Sequence, residues 1–231
     1  MYKGIAGSEG IGIGTVVLIE EHEINIETKR VEETGAEIER LQNAIEKFVA
    51  DTNVMAEKMD ITVGKKDADI LRGNIQMLQY PMIKEQISGL IISEKITAEM
   101  AVEQVLEQTA EMFSQIPDEL LQQRATDFRD IKTRMLKILL GIEDVDISQV
   151  PAGTVIVARD LTPSMTAGIN PENIEGILTE VGGRTSHSAI LARAMEVPAV
   201  LSIENICSIA KNGDKVVLDG TSGEAILNPD D

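Results

Sequence analysis

A short segment around residue 187 combines residue types that can bind a phosphoryl group and accept it. A β-like run ends at Val181, two glycines follow, and a helical pattern begins near Ser186. Glycine tolerates positive φ and lets a ligand approach main-chain N–H groups, and a helix start offers unpaired N–H donors at the positive end of its dipole. The residues predicted to bind phosphate are Gly182, Gly183, Arg184, Thr185 and Ser186.

His187 is the nucleophile that this segment offers. An imidazole with an ordinary pKa of about 6.5 is mostly neutral at pH 7, so a ring nitrogen can attack phosphorus. Taken alone, the segment also fits a Gly-Gly turn whose histidine merely begins a helix. Serine hydrolysis through Ser186 or Ser188 is disfavoured, because adjacent residues on a helix point in different directions.

The composition narrows the classes of partner. The 231 residues contain 39 acidic and 21 basic side chains, a net charge of -18 that disfavours nucleic acid and anionic membrane surfaces. The single cysteine, Cys207, allows no internal disulfide and fits a reducing compartment. The N-terminus lacks a signal-peptide pattern, and no apolar run is long enough to span a membrane. We therefore expect a cytoplasmic protein.

Three sections of the chain differ in composition and apolar pattern, and together they predict an α/β domain interrupted by a helical one. Residues 1–24 are rich in glycine and β-branched residues, residues 27–142 are helical in pattern, and strands alternate with a helix from residue 150 onward. A hairpin alone is marginal in water, so the first strands are expected to join the last ones. The predicted domains are 1–24 with 145–231 (α/β) and 25–144 (an inserted bundle of four main helices).

Particular residues mark the ends of these helices. A long amphipathic helix is predicted around Phe48, and a second helix over residues 66–79. Pro81 either stops this second helix or starts the next one. Thr97 is predicted to cap a further helix, and Gly141 to end the last one. The low aromatic content of 2% predicts an aliphatic core.

Several segments resemble a known family. The run from Gly182 to Arg193 resembles the phosphohistidine signature of the phosphoenolpyruvate-utilising enzymes. Residues 4–14, 124–131 and 160–164 are similar to enzyme I of the bacterial sugar-transporting phosphotransferase system, and the similarity spans essentially the whole chain. Other members, such as the central domain of pyruvate phosphate dikinase or phosphoenolpyruvate synthase, lack the four-helix insertion. A purely interacting helical module would leave the His187 segment without a purpose.

The resemblance implies a phosphohistidine α/β domain that carries a helical domain for binding the small phosphocarrier HPr. It implies that His187 receives phosphate from phosphoenolpyruvate through Nε2 and passes it to a histidine of HPr. By position, Thr162 corresponds to the threonine that orients the imidazole, which would do so at Nδ1. Thr162 could also, or instead, be the N-cap of a helix that begins at Pro163. The resemblance implies no cofactor in this chain. Phosphoenolpyruvate and Mg²⁺ would bind a C-terminal barrel domain that also drives dimerisation, so this part alone is expected to be monomeric and unable to phosphorylate itself.

The predicted second helix departs from the family. Asn74 stands where enzyme I usually has histidine, and Gln79 and Tyr80 replace acidic positions. Asn74 and Met77 are predicted to share a face toward HPr, together with Arg124, whereas Leu78 is expected in the core. These differences leave open another phosphoenolpyruvate-utilising enzyme, or a paralogous phosphotransferase chain with a non-standard HPr.

Overall fold

The computed structural model describes residues 1–19, 24–62, 64–142 and 147–229. The chain divides into two compact units, one of residues 1–22, 58–67 and 145–231 and one of residues 23–57 and 68–144. The first unit combines both ends of the chain, as the sequence predicts, but it also includes residues 58–67. The boundary expected near residue 145 lies outside the described residues.

Five helices lie between residues 34 and 140, one more than expected for the described part of the chain. Pro81 causes the difference, because it stands at the first position of a helix, where its missing N–H costs nothing. The helices are α1 Thr34–Thr62, α2 Lys65–Gln79, α3 Pro81–Glu94, α4 Ala98–Ser114 and α5 Glu119–Leu140. The predicted caps are confirmed: the Thr97 hydroxyl accepts a hydrogen bond from the Met100 amide, and Gly141 ends α5 with φ 68°.

The core of the helical unit is aliphatic. α4 and α5 are joined by a short connection and pack along each other. The fully buried side chains include Leu78, which confirms its predicted place. The larger members of this core are Leu41, Phe48, Leu78, Ile87, Ile91, Leu106, Ile131 and Met135.

The α/β unit is built on one eight-stranded sheet. In chain order its strands are β1 Tyr2–Lys3, β2 Ile5–Ser8, β3 Ile11–Ile19, β4 Thr154–Ala158, β5 Ile174–Thr179, β6 Ala199–Leu201, β7 Lys215–Asp219 and β8 Glu224–Leu227. Their order across the sheet is β1-β8-β7-β3-β4-β5-β6-β2. The run from β3 to β6 is parallel and the remaining pairs are antiparallel. The first and last strands of the chain thus share one sheet.

Three short helices complete this unit: α6 Pro163–Thr166, α7 His187–Ala194 and α8 Ile206–Ile209. Alternate residues of β4 face opposite sides of the sheet, so Ile156 packs with Leu191 of α7, while Val155 packs with Ile206 of α8. Both faces of the parallel strands are therefore covered, and every residue of the central strand β4 is buried.

The N-terminal segment closes the sheet. β1 and β2 lie at opposite ends of the strand order, yet only Gly4 separates them in the chain. One extended segment therefore pairs with β8 through its first half and with β6 through its second half. Gly220 lies where this closure is tightest, since a Cβ there would be 1.8 Å from the Ser8 carbonyl oxygen.

Gly220→Ala is expected to lower the free energy of unfolding by about 2–3 kcal/mol, because backbone must move to admit the methyl group. Gly89→Ala is the matched control. A Cβ at Gly89, inside α3, has no atom within 4 Å, so alanine should stabilise by about 0.4–1 kcal/mol. Urea unfolding of both variants measures the difference, and equal stabilities would contradict the tight closure.

Candidate functional site

The site lies where the parallel strands β4, β5 and β6 end. Ala158 pairs with Thr179, and Leu178 with Val200, so the three strands finish at one edge of the sheet. Ligands of α/β sheets commonly bind at the carboxyl ends of the strands. The loops that leave this edge carry residues 159–162, residues 180–186 and Ser202.

The glycine turn after β5 has a fixed shape. Gly182 has φ 116°, and a Cβ there would lie 3.1 Å from Ser186 Oγ, so this position requires glycine. The Ser202 hydroxyl donates to the Gly182 carbonyl, and the Thr179 hydroxyl donates to the Val181 carbonyl at 2.6 Å. A Cβ at Gly183 would meet nothing within 4 Å. The turn is therefore held by side chains of two strand ends.

α7 begins immediately after this turn. Ser186 is its N-cap, and its hydroxyl accepts a hydrogen bond from the Ala189 amide at 3.4 Å. The first helical residue is His187, so its amide and that of Ser188 lie in the first turn of α7, at the positive end of the helix dipole. Arg184 and Thr185 are exposed beside this helix start. The structure thus brings the five residues predicted to bind phosphate next to His187.

The His187 ring is half-buried, and one of its nitrogens contacts a threonine. His187 Nε2 lies 3.2 Å from the hydroxyl oxygen of Thr166, a fully buried residue at the end of α6. The same hydroxyl lies 3.1 Å from the carbonyl oxygens of Thr162 and Pro163. These carbonyls can only accept, so when the hydroxyl donates to one of them its oxygen accepts from Nε2–H. In this arrangement Thr166 both holds the ring in one orientation and keeps the proton on Nε2.

Thr162 has a different place from the predicted one. Its hydroxyl accepts from the Met165 amide at 3.4 Å and lies 3.0 Å from Ser164 Oγ, so it caps α6. The prediction that Thr162 contacts the imidazole is corrected to Thr166, and the nitrogen contacted is Nε2 instead of Nδ1. Pro163 at the first helical position was the sequence signal for this outcome, because it makes Thr162 the cap.

A half-buried carboxylate beside the site, Asp160, was missed by sequence reasoning. Asp160 Oδ1 accepts from the Ser188 hydroxyl and from the Leu161 amide, both at 2.8 Å. Burial raises the pKa of Asp160, although these two hydrogen bonds act in the opposite direction. Ser188 is fully buried and donates to Asp160, which gives no support to hydrolysis through this serine.

Arg193, the last residue of the His187 segment, joins two loops. Its guanidinium donates to the carbonyl of Gly7 at 2.8 Å and to that of Arg184 at 3.0 Å. The segment predicted to bind phosphate is therefore tied to the N-terminal strand that closes the sheet. The spacing of Arg193 from His187 by six residues did not reveal this role.

The helical unit contains the three residues predicted to bind a partner, and the prediction is wrong for Asn74. Asn74 is fully buried and donates to Asp130 Oδ2 at 3.4 Å. It shares the buried stripe of α2 with Leu71 and Leu78, at the three- and four-residue spacing of a helix face, so it cannot face a partner.

Met77 and Arg124 are both accessible to a partner, but Met77 is less exposed than Arg124. Met77 is half-buried and packs against the core of the helical unit. Arg124 is exposed and forms an ion pair with Asp127 at 3.0 Å. The predicted contact of these two side chains with a partner stays a prediction.

No three His, Cys, Asp or Glu side chains in the described part of the chain gather where they could hold a metal ion. No described helix has the length and apolar character needed to cross a membrane.

Comparison with known proteins identifies relatives along the whole chain. A phosphoenolpyruvate-protein phosphotransferase of Mycoplasma capricolum is 39% identical over 231 aligned residues, and one of Haemophilus influenzae is 34% identical. Each alignment covers 99% of this chain but 40% of the relative. The chain thus spans about two fifths of the length of these relatives.

A solved structure agrees in fold. An enzyme I protein (nEIt), determined by NMR in solution, has a TM-score of 0.86 and 38% identity, with 100% of this chain and 94% of that chain covered. The N-terminal domain of a nitrogen-type enzyme 1, at 22% identity and a TM-score of 0.65 over 99% of this chain and 94% of its own, shares the fold. The match confirms the predicted fold, a phosphohistidine-type α/β domain with an inserted helical bundle.

Family patterns match both parts of the sequence. The pattern described as "PEP-utilising enzyme, N-terminal" matches residues 3–124, and the one described as "PEP-utilising enzyme, mobile domain" matches residues 150–223. The second range contains the glycine turn, Thr166 and His187. This chain belongs to the family of phosphoenolpyruvate-utilising enzymes, and it corresponds to the N-terminal part of its enzyme I relatives.

Proposed function

We propose that this chain is the phosphoryl-carrying part of an enzyme I. His187 receives phosphate that originates from phosphoenolpyruvate and passes it reversibly to a histidine of HPr. One observation carries the proposal: a half-buried imidazole stands at the first position of α7, directly after a glycine turn, with a threonine hydroxyl 3.2 Å from its Nε2. Phosphate on this ring would meet the amides and the positive dipole of the helix start.

The chemistry at His187 is a displacement at phosphorus. A ring nitrogen donates its lone pair to form the P–N bond, and the P–O bond to the enolpyruvate oxygen breaks, or the P–N bond to HPr when transfer runs in reverse. Nε2 cannot bond phosphorus while it shares a proton with Thr166. Transfer through Nε2 therefore requires that proton to be lost and the ring to turn from the hydroxyl. The Thr166 hydroxyl then lies beside Nε2, where it can donate to the oxygens of the incoming phosphoryl group and so keeps a part in the transfer step.

The phosphate-binding residues have separate tasks in this proposal. Arg184 and Thr185 are exposed and can bind the phosphoryl oxygens from the solvent side. Ser186 caps the helix with a lone pair of its hydroxyl, so the hydroxyl proton can still be donated to phosphate. Gly182 and Gly183 leave room for the phosphoryl group beside the backbone.

The helical unit is proposed to bind HPr. Large apolar side chains are exposed around the start of α3, where Tyr80 and Met82 are more than half accessible, and Leu120 is exposed on α5. Exposed apolar side chains near charged ones such as Arg124 are typical of transient protein interfaces. Phosphoenolpyruvate and Mg²⁺ are assigned to the part of the relatives that this chain does not cover. We place the protein in the cytoplasm on its single cysteine and its similarity to enzyme I.

His187→Ala is expected to abolish phosphate transfer from phospho-HPr, because the atom that forms the P–N bond is lost. Phosphorus NMR of the mixed proteins should show a second phosphohistidine signal, besides that of phospho-HPr, with the wild-type chain and not with the variant. His22→Ala, which removes the chain's other histidine, is the matched control and should keep the second signal. A binding module without phosphoryl chemistry would give no second signal with any of the three proteins.

The 231-residue chain is expected to take no phosphate from phosphoenolpyruvate and Mg²⁺ alone, since their proposed site lies in the remainder of the relatives. Incubation with labelled phosphoenolpyruvate, with and without HPr, measures this. Stoichiometric labelling of His187 would contradict the assignment of that site elsewhere.

Thr166→Val is expected to slow exchange with phospho-HPr by about tenfold, roughly the value of one hydrogen bond that orients the ring. Thr166→Ser keeps the hydroxyl and should recover most of the rate. Thr162→Ala is the matched comparison: it should cost about 1 kcal/mol of stability through the lost cap while slowing exchange less than about threefold. If Thr162→Ala slowed exchange more than Thr166→Val did, Thr162 would be the orienting residue instead.

A further inference from the structure

The contact between Thr166 and His187 joins two elements that the chain builds separately. Thr166 ends the short helix α6, which follows β4, and His187 begins α7, which follows β5. A distance of 3.2 Å between the side-chain atoms is kept only if both backbones are fixed to a fraction of an ångström. The structure must therefore connect these two segments near the contact.

Asp160 makes that connection. Its Oδ1 accepts from the hydroxyl of Ser188, the residue next to His187, and from the amide of Leu161, which opens the segment leading to Thr166. The Leu161 amide also lies 3.3 Å from Ser188 Oγ, so the three groups form one closed set. Leu161 and Ser188 are both buried, which keeps water from replacing these hydrogen bonds.

The partial burial of the Asp160 carboxylate lowers the free energy of unfolding when the group is charged, and its hydrogen bonds offset this only in part. Burial raises the pKa of Asp160, so the charged form is less stable here than in water. An asparagine or serine could cap the Leu161 amide without that penalty. A charged acceptor, however, holds a serine hydroxyl more tightly than a neutral one does. The arrangement favours rigidity between the two segments over the stability of the chain.

We propose that Asp160, acting through Ser188, is a positioning residue for phosphoryl transfer: it ties the segment that carries Thr166 to the helix that carries His187. The inference rests on the proposed exchange with HPr. It assigns Asp160 no contact with phosphate and no proton transfer. Its effect on transfer is exerted entirely through the placement of the Thr166 hydroxyl against the imidazole.

The first test compares variants of this set in exchange with phospho-HPr. Asp160→Ala and Ser188→Ala should each slow exchange by about tenfold, and the double variant should be no slower than either single one, because both remove the same link. Asp160→Asn keeps an acceptor oxygen and should recover most of the rate. Additive losses in the double variant would overturn the link. Should Asp160→Ala fail to fold in circular dichroism, Ser188→Ala combined with Thr166→Val replaces it: this double variant should be no slower than either single one, and additive losses would overturn the link.

The second test asks whether Asp160 acts through Thr166. Thr166→Val should slow the wild-type chain by about tenfold but change the Asp160→Ala chain by less than about threefold, because the contact it removes is already lost there. A full tenfold effect in both backgrounds would show that Asp160 stabilises the fold without positioning this contact, and the proposal would fall.

A control and a partner-free measurement complete the design. Asp219→Ala removes a carboxylate that caps the amides of Thr221 and Ser222 in the same unit, at the opposite end of β3 from the site, and should leave exchange unchanged. Nitrogen NMR of the His187 ring should show a shifted Nε2 signal in Asp160→Ala and not in Asp219→Ala. If the wild-type chain exchanges no phosphate with HPr, the proposed function fails, while an unmoved Nε2 signal in Asp160→Ala separately refutes the positioning role.

Discussion

The site depends on the hydrogen-bonding contact between the Thr166 hydroxyl and Nε2 of His187. In the proposed function, the imidazole must be held in one orientation and stay open on the side from which phosphorus arrives. In the structure the ring belongs to the first residue of α7 and has a fully buried threonine beside its Nε2. The rest of the α/β unit keeps these two groups in place.

This placement follows from the ends of the parallel strands. β4 and β5 finish at one edge, so the loops after them lie side by side, although 23 residues separate Pro163 from His187. The turn at Gly182 and the cap at Ser186 then aim the first residue of α7 along this edge. The N-terminal segment closes the sheet around them, and Arg193 bonds to its Gly7 carbonyl.

The helical unit contains polar groups in its interior that shape its surface. Asn74 of α2 donates to Asp130 of α5, and the Arg134 guanidinium lies over the Phe48 ring and donates to Thr52 of α1. Buried polar pairs of this kind favour one register of packed helices over others. Because Asn74 is buried and bonded to Asp130, the surface proposed to bind HPr must be formed by exposed side chains such as Tyr80 and Met82.

The sequence by itself determined the main elements and singled out His187 as the candidate nucleophile. Apolar spacing and the residues Pro81, Thr97 and Gly141 located the helices, because caps and breakers act over three or four residues. The Gly-Gly turn before a helix start likewise marked His187. Only the tertiary structure decided that Thr166 contacts the ring, that Asp160 bonds Ser188, and that Asn74 is buried. These are contacts between segments 21 or more residues apart, and local patterns do not encode which side chains of separate elements meet.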